Sequence, residues 1–119
     1  MKRDMDLVRK ILLEVEGVSF EGGWIDLQIE GYSENEVSYH VLLLAEAGLI
    51  EAIDLSTNTS FAWAPKRLTW NGHEFIEASR DENRWEKAKT IMKEKAGGFV
   101  YDVLKTLLIQ LMTKAVLGQ

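Results

Sequence analysis

The sequence predicts a mainly α-helical protein that carries one small β-hairpin, an α+β fold class. Apolar residues recur at helical spacing in several stretches, as they do on the buried face of an amphipathic helix. Near the middle of the chain, the polar cluster "STNTS" separates two short runs of β-forming residues. Residues that favour helix N-termini precede most of the helical stretches. Together these observations predict five helices and one hairpin.

Two helices are predicted in the first half of the chain. The first covers residues 5–16 after Asp4, which is suited to an N-cap. Its apolar residues share one face: Leu7, Ile11, Leu12 and Val15. Ser33 and Glu36 match a capping box, in which each side chain accepts a hydrogen bond from the other residue's amide. The second helix is therefore predicted from residue 34 to residue 47, and Gly48 suits the left-handed position that follows.

Strands are predicted in two places. Residues 24–29 alternate between apolar and polar side chains, which favours a short strand over the alternative of a short helix. Residues 50–69 surround the turn cluster, and we expect them to form a two-stranded hairpin. The single proline, Pro65, has no backbone N–H, so we expect it near a sheet edge.

Three more helices are predicted after the hairpin. Thr69 is suited to cap the first of them, "WNGHEFIEASR", and Asp81 to cap the second, at residues 82–96. Gly97 and Gly98 separate these from the last helix, residues 99–116, which carries a broad apolar band. The band consists of Val100, Val103, Leu104, Leu107, Leu108, Leu111, Met112, Ala115 and Val116.

The order of these elements resembles the winged helix-turn-helix fold. The stretch "VSYHVLLLAEAGLI" is similar to the recognition helix of many bacterial repressors, and "LTWNGHEFI" resembles the "LTxxGxxFL" that follows the wing in several such families. The whole chain, through "MKRDMDLVRKILL", "YHVLLLAEAGLIEA" and "RLTWNGHEFIEASRDENRWEKAK", resembles an uncharacterised bacterial and prophage-associated domain family of unknown function. The resemblance implies a prophage or mobile-element setting.

The length of 119 residues fits one domain with a hydrophobic core. Within the single domain 1–119, the resemblance implies a winged-helix core at residues 4–80. A connecting helix at residues 81–96 and a C-terminal apolar helix at residues 99–117 follow it.

The charge distribution argues against DNA binding through the usual helix and wing. The formal net charge is -5, and residues 11–65 contain no lysine or arginine. Because basic side chains that neutralise phosphates supply most non-specific DNA affinity, DNA would be repelled by this stretch. A DNA-binding regulator remains the alternative function, and its candidate contacts lie elsewhere: Lys2, Arg3, Arg9, Lys10, Lys66 and Arg67.

An interaction face is predicted instead. The second helix presents apolar side chains where a DNA-binding protein would carry polar ones, and the last helix has more apolar surface than a terminal helix needs. The predicted face comprises Tyr39, Leu42, Leu43, Val103, Leu107 and Leu111. The last helix either covers the second helix in the same chain or pairs with a second copy, and we favour a homodimer or another protein partner. The expected function is a non-enzymatic protein-interaction or dimerisation module.

No catalytic or ligand-binding motif stands out. The chain has no GxSxG, no phosphate-binding GxxxxGK[ST] and no GxGxxG. His40 and His73 lie on separate predicted helices, so we expect ordinary hydrogen-bonded histidines rather than metal ligands. We therefore expect no enzyme activity, metal, cofactor or small-molecule substrate.

Composition and the N-terminal residues point to the cytoplasm. The chain has no cysteine, and charges interrupt the apolar residues of "MKRDMDLVRKILLEVEG", so we expect no signal peptide. The longest uncharged run near the C-terminus, residues 106–113, is far shorter than the ~20 residues that span a bilayer.

The large aromatic residues divide into two expected groups. Trp63, Trp70 and Trp85 are expected to fill the core, because their side chains bury a large apolar area. Phe20 and Trp24, close to glycines, are expected to be partly exposed.

Overall fold

A computed structural model describes residues 1–118, and for Ala96 it describes the backbone alone. This part of the chain contains five helices and one antiparallel pair of strands, which confirms the mainly α, α+β class. The elements are α1 (Met5–Gly17), α2 (Glu34–Glu46), β1 (Ile50–Asp54), β2 (Trp63–Leu68), α3 (Trp70–Ser79), α4 (Glu82–Ala96) and α5 (Tyr101–Leu117).

The predicted helix N-caps are confirmed. The carboxylate of Asp4 accepts hydrogen bonds from two amides of the first turn of α1, at 2.9 and 3.2 Å. Ser33 and Glu36 form the reciprocal capping box, with both hydrogen bonds at 3.1 Å. Thr69 and Asp81 accept from amides at the start of α3 and α4, at 3.1 and 2.8 Å. Each cap satisfies backbone N–H groups that have no partner inside the helix, so the helices begin where the sequence predicts.

The end of α2 also follows local sequence. Gly48 has a φ of +75°, a conformation that L-residues with a side chain rarely adopt. The amide of Leu49 donates to the carbonyl of Leu44, and the amide of Gly48 donates to the carbonyl of Ala45, both at 3.0 Å. This pair of hydrogen bonds is a Schellman motif. Leu49 is buried, and β1 begins at the next residue.

The chain divides into two compact units, one from Met1 to Glu74 and the other from Phe75 onward. In the first unit, α1, α2 and the hairpin pack against one another. Its fully buried apolar side chains include Leu7, Ile11, Leu12 and Val41. In the second unit, α4 packs on α5. There Phe75 meets Trp85 edge to face and stacks on Tyr101, with ring centroids 6.4 and 5.4 Å apart.

The strand predicted at residues 24–29 is wrong, although the predicted alternation is present. Ile25, Leu27 and Ile29 are half-buried, and the residues between them are exposed. Within residues 1–118, one backbone hydrogen bond joins the segment to β2, from the Ile25 amide to the Pro65 carbonyl at 2.8 Å. Pro65 has no N–H, so it cannot return a backbone hydrogen bond to the segment. The segment is not the short helix of the alternative interpretation either.

The predicted hairpin is confirmed, with an irregularity that the sequence did not predict. Glu51 pairs with Arg67 and Ala52 pairs with Pro65, so Lys66 is an extra residue in β2. This bulge lies next to Pro65, in a sheet whose two strands are both edge strands.

Candidate interaction surfaces

The buried side of α5 is narrower than the predicted apolar band. Leu104 and Leu108 are fully buried, one helical turn apart, on the side that packs on α4. Val103 is 50 % exposed and Val116 is 79 % exposed, although the band includes both. Much of the apolar surface of α5 is therefore open to solvent within this chain.

One partly exposed row of α5 is apolar: Val103 is exposed, and Leu107 and Leu111 are half-buried. Val103, Leu107 and Leu111 follow one another at a spacing of four residues, which places them side by side along the helix. Val103 and Leu107 line an open groove of about 510 Å³ together with Ile91 and Met92 of α4. We call Val103, Leu107 and Leu111 the apolar row; all three belong to the predicted interaction face.

A polar row runs beside the apolar row. Asp102, Thr106, Gln110 and Lys114 also follow at a spacing of four residues, and all four are exposed. Its acidic residue lies near the start of α5 and its basic residue near the end. The constant spacing of the polar row is visible in the sequence, whereas the exposure of all four residues depends on the fold.

The α2 part of the predicted face belongs to the first unit. Tyr39, Leu42 and Leu43 are each half-buried, while Val41 and Leu44 are buried in the core. Ala47, just after α2, is exposed. Three of the six predicted residues thus belong to each unit.

At least four of the candidate DNA contacts, Arg3, Arg9, Lys10 and Arg67, interact with other groups of the protein. Arg9 is 9 % exposed. Arg67 forms an ion pair of 2.6 Å with Glu51, and the ammonium of Lys10 lies 5.5 Å from the ring centre of Tyr32. Lys2 and Arg3 are exposed before α1, and Lys66 is half-exposed at the bulge.

A second groove lies in the first unit. It has a volume of about 220 Å³ and lies between residues 24–28, the start of α2 and the end of the hairpin. Trp24 and Phe61 line it and are 51 % and 42 % exposed, and its charged lining residues are Asp26 and Glu34. We call residues 24–29 with Phe61 the acidic–aromatic edge. The expected partial exposure of Trp24 is confirmed, whereas the groove that it shares with Phe61 depends on the folded hairpin.

The other aromatic expectations had mixed outcomes. Trp85 is buried as expected, and Phe20 is 59 % exposed as expected. Trp63 is half-buried. The core position expected for Trp70 is wrong, because its side chain is 79 % exposed and its indole N–H donates to the carboxylate of Glu74 one turn later.

His40 is a buried structural histidine. Its Nε2 accepts from the backbone amide of Asp4 at 2.8 Å, so the hydrogen must be on Nδ1, which donates to the carbonyl of Glu36 at 2.8 Å. Both nitrogens are therefore used by backbone groups. His73 is exposed on α3, and residues 1–118 contain no cluster of three or more histidine, cysteine or acidic side chains suited to a metal ion.

The pKa values of Tyr101, Tyr32 and Asp54 are shifted, each for a structural reason. Burial, followed by the charge of Asp102, raises the pKa of Tyr101 to about 12. Burial and the charge of Asp4, which accepts from the Tyr32 hydroxyl at 3.2 Å, raise the pKa of Tyr32. Hydrogen bonds from Ser56 lower the pKa of Asp54 at the end of β1.

Among residues 1–118, no helix combines the length and the apolar composition needed to cross a membrane. The fold is that of a small, mainly helical protein with one β-hairpin. The chain belongs to the DUF2513 family, described as hypothetical proteins, whose family model matches residues 2–98. α5 begins just after the matched residues.

A relative from Haemophilus influenzae strain Rd, described as an uncharacterized protein, is 40 % identical over 106 residues. That alignment covers 88 % of this chain and 90 % of the relative. No solved structure matches the chain significantly. The family is one of unknown function, so any function must be argued from the surfaces described above.

Proposed function

We propose that this protein is a non-enzymatic interaction module that forms a homodimer through α5. The observation that supports the proposal is that a partly exposed apolar row and a self-complementary polar row lie side by side on the same helix. Asp102 and Lys114 stand 12 residues apart in that polar row, about 18 Å along the helix. In an antiparallel pair of these helices, the aspartate of each copy would face the lysine of the other.

The antiparallel arrangement follows from two-fold symmetry. An axis through the level of residue 108 sets Asp102 of one copy opposite Lys114 of the other, and Thr106 opposite Gln110. Val103 then lies close to Leu111 of the second copy, so the apolar row is buried beside the polar row. Burial of apolar area drives the association, and the two symmetric ion pairs fix the direction of pairing.

The Leu107→Asp variant tests the proposal because it puts a carboxylate in the middle of the apolar row. Sedimentation velocity at micromolar concentration should show a dimer for the wild type and a monomer for this variant. Ile109→Asp is the matched control, since Ile109 is 39 % exposed and lies outside both rows. A wild-type monomer, or a Leu107→Asp dimer as tight as the wild type, would contradict the proposal.

The proposal extends to the setting of the protein. The resemblance to a winged-helix core supports a first unit built on that fold, in which α2 carries no lysine or arginine and the hairpin carries Lys66 and Arg67 alone. The same resemblance supports a prophage or mobile-element origin, and the absence of cysteine supports a cytoplasmic location.

DNA binding remains the alternative, and it is less well supported. Arg9 is buried and Arg67 is paired with Glu51, which leaves Lys2, Arg3 and Lys10 as exposed candidates and Lys66 as a half-exposed one. Fluorescence anisotropy with mixed-sequence duplex DNA distinguishes the two functions. Binding that weakens steeply as salt is added would favour the regulator, whereas absence of binding at low salt would eliminate general DNA affinity.

A further inference from the structure

The acidic–aromatic edge has an incomplete backbone hydrogen-bond pattern. Residues 24–29 alternate in exposure as a strand does, yet within residues 1–118 they share one backbone hydrogen bond with β2, from Ile25. Since N–H groups alternate in direction along an extended chain, we expect the amides of Asp26 and Gln28 on the side away from β2. The segment is therefore a short strand-like edge on which another extended chain has backbone groups to pair with.

The side chains along this edge favour one kind of occupant. Trp24 and Phe61 offer exposed aromatic faces, and the charged residues lining their groove, Asp26 and Glu34, are both acidic. Residues 11–65 contain no lysine or arginine, so no basic side chain from this stretch neutralises the groove. Aromatic faces next to carboxylates attract lysine and arginine side chains by cation–π and Coulomb interactions.

We propose that the acidic–aromatic edge binds an extended, lysine- or arginine-bearing segment of a partner protein as an added β-strand. The backbone of residues 24–29 supplies the hydrogen bonds, as in other cases of strand addition. Alternate basic side chains of the partner lie over Trp24 and Phe61 and beside Asp26. The site belongs to the first unit, and its occupation does not depend on the α5 dimer.

The probe is a fluorescein-labelled eight-residue peptide that alternates lysine and valine, with capped ends. Anisotropy at 150 mM salt should give micromolar affinity for the wild-type protein, whereas the peptide with glutamate in place of lysine should not bind. Trp24→Ala and Asp26→Asn should each weaken binding of the lysine peptide about tenfold, because each removes an aromatic or carboxylate group that the peptide's lysines contact. Both side chains are exposed, so we expect both variants to fold. Circular dichroism spectra and melting temperatures check that they are folded.

Two controls separate strand addition from general attraction to an acidic protein. Glu46→Gln removes one negative charge from an exposed position of the acidic stretch that does not line the groove, and it should leave the affinity within about twofold. Lysine–valine peptides N-methylated at alternate residues, in the two possible registers, test the backbone bonds. At least one of them should bind about tenfold more weakly.

Three results would overturn the proposal. The first is that the lysine peptide does not bind even at low salt. The second is that Glu46→Gln weakens binding as much as Asp26→Asn does. The third is that both N-methylated peptides bind as well as the unmethylated peptide. The second result would indicate diffuse electrostatic attraction, and the third would indicate a groove that recognises side chains alone.

Discussion

Gly72 lies directly against the backbone of Leu49. A Cβ atom built on Gly72 would stand 2.0 Å from the carbonyl oxygen of Leu49, well inside van der Waals contact. The same oxygen accepts the amide of Thr69 at 3.0 Å, so the first turn of α3 is tied to the end of α2 at this point. This glycine is the central residue of the "LTWNGHEFI" motif, and close packing explains its presence there.

We expect Gly72→Ala to destabilise the protein by about 3 kcal/mol or more, because the methyl group collides with backbone that cannot rotate away. Gly17→Ala is the matched control. Gly17 is the last residue of α1, and a Cβ at this position meets no atom within 4 Å. Because alanine favours the helix more than glycine does, the Gly17→Ala variant should be as stable as the wild type or slightly more stable. Chemical denaturation of both variants checks this. Equal stabilities would show that α3 shifts away from Leu49 at little cost.

His40 links the start of α1 to the first turns of α2 through both ring nitrogens. We expect His40→Ala to cost about 2–4 kcal/mol, since it opens a cavity at a site that is 2 % exposed and removes two hydrogen bonds to backbone groups. The same change at the exposed His73 should stay within about 0.5 kcal/mol of the wild type. Urea denaturation measures the pair, and similar losses at the two positions would disprove a structural role specific to His40.

Local signals explain which parts of the fold the sequence predicts correctly. Ser33 and Glu36 cap α2 with atoms from adjacent residues, and Gly48 ends it through its own φ, so no distant contact is required. The strand predicted at residues 24–29 failed because a ladder needs a partner. The neighbouring strand includes Pro65, which has no N–H to donate. The alternation of side chains predicts which face of the segment is exposed, but it does not predict whether backbone hydrogen bonds form.

The candidate surfaces were harder to predict because exposure depends on packing. Trp70 has the area of a core residue, yet it is exposed and bonded to Glu74 within its own helix. The apolar band of α5 is visible in the sequence. Which of its residues are buried, Leu104 and Leu108, depends on the packing of α5 on α4. The groove that Trp24 and Phe61 both line forms between residues far apart in the chain.

Tyr101 should ionise later than an ordinary tyrosine. Burial and Asp102 raise its pKa from 10.0 to about 12, so its neutral form is favoured in the folded protein. The stability that this contributes is fully present below about pH 10 and is lost as the pH rises through about 12. Absorbance at 295 nm should show a tyrosinate step near pH 12 that Tyr101→Phe removes. If that variant removes a step near pH 10 instead, Tyr101 is not protected in solution.

Asp102 and Lys114 provide the sharpest test of the proposed antiparallel dimer, because each would face the other residue of the second copy. Asp102→Lys alone puts two lysines opposite each other at both symmetric contacts, so we expect the dimer to weaken about 5- to 30-fold. Lys114→Asp alone should weaken it similarly through paired carboxylates. The double variant restores opposite charges and should return the dissociation constant to within about threefold of the wild type.

Lys105→Glu, at the other lysine of α5 and outside the polar row, should have little effect. Sedimentation equilibrium at low salt measures all four variants. Additive losses in the double variant would exclude this antiparallel pairing even if the protein is a dimer.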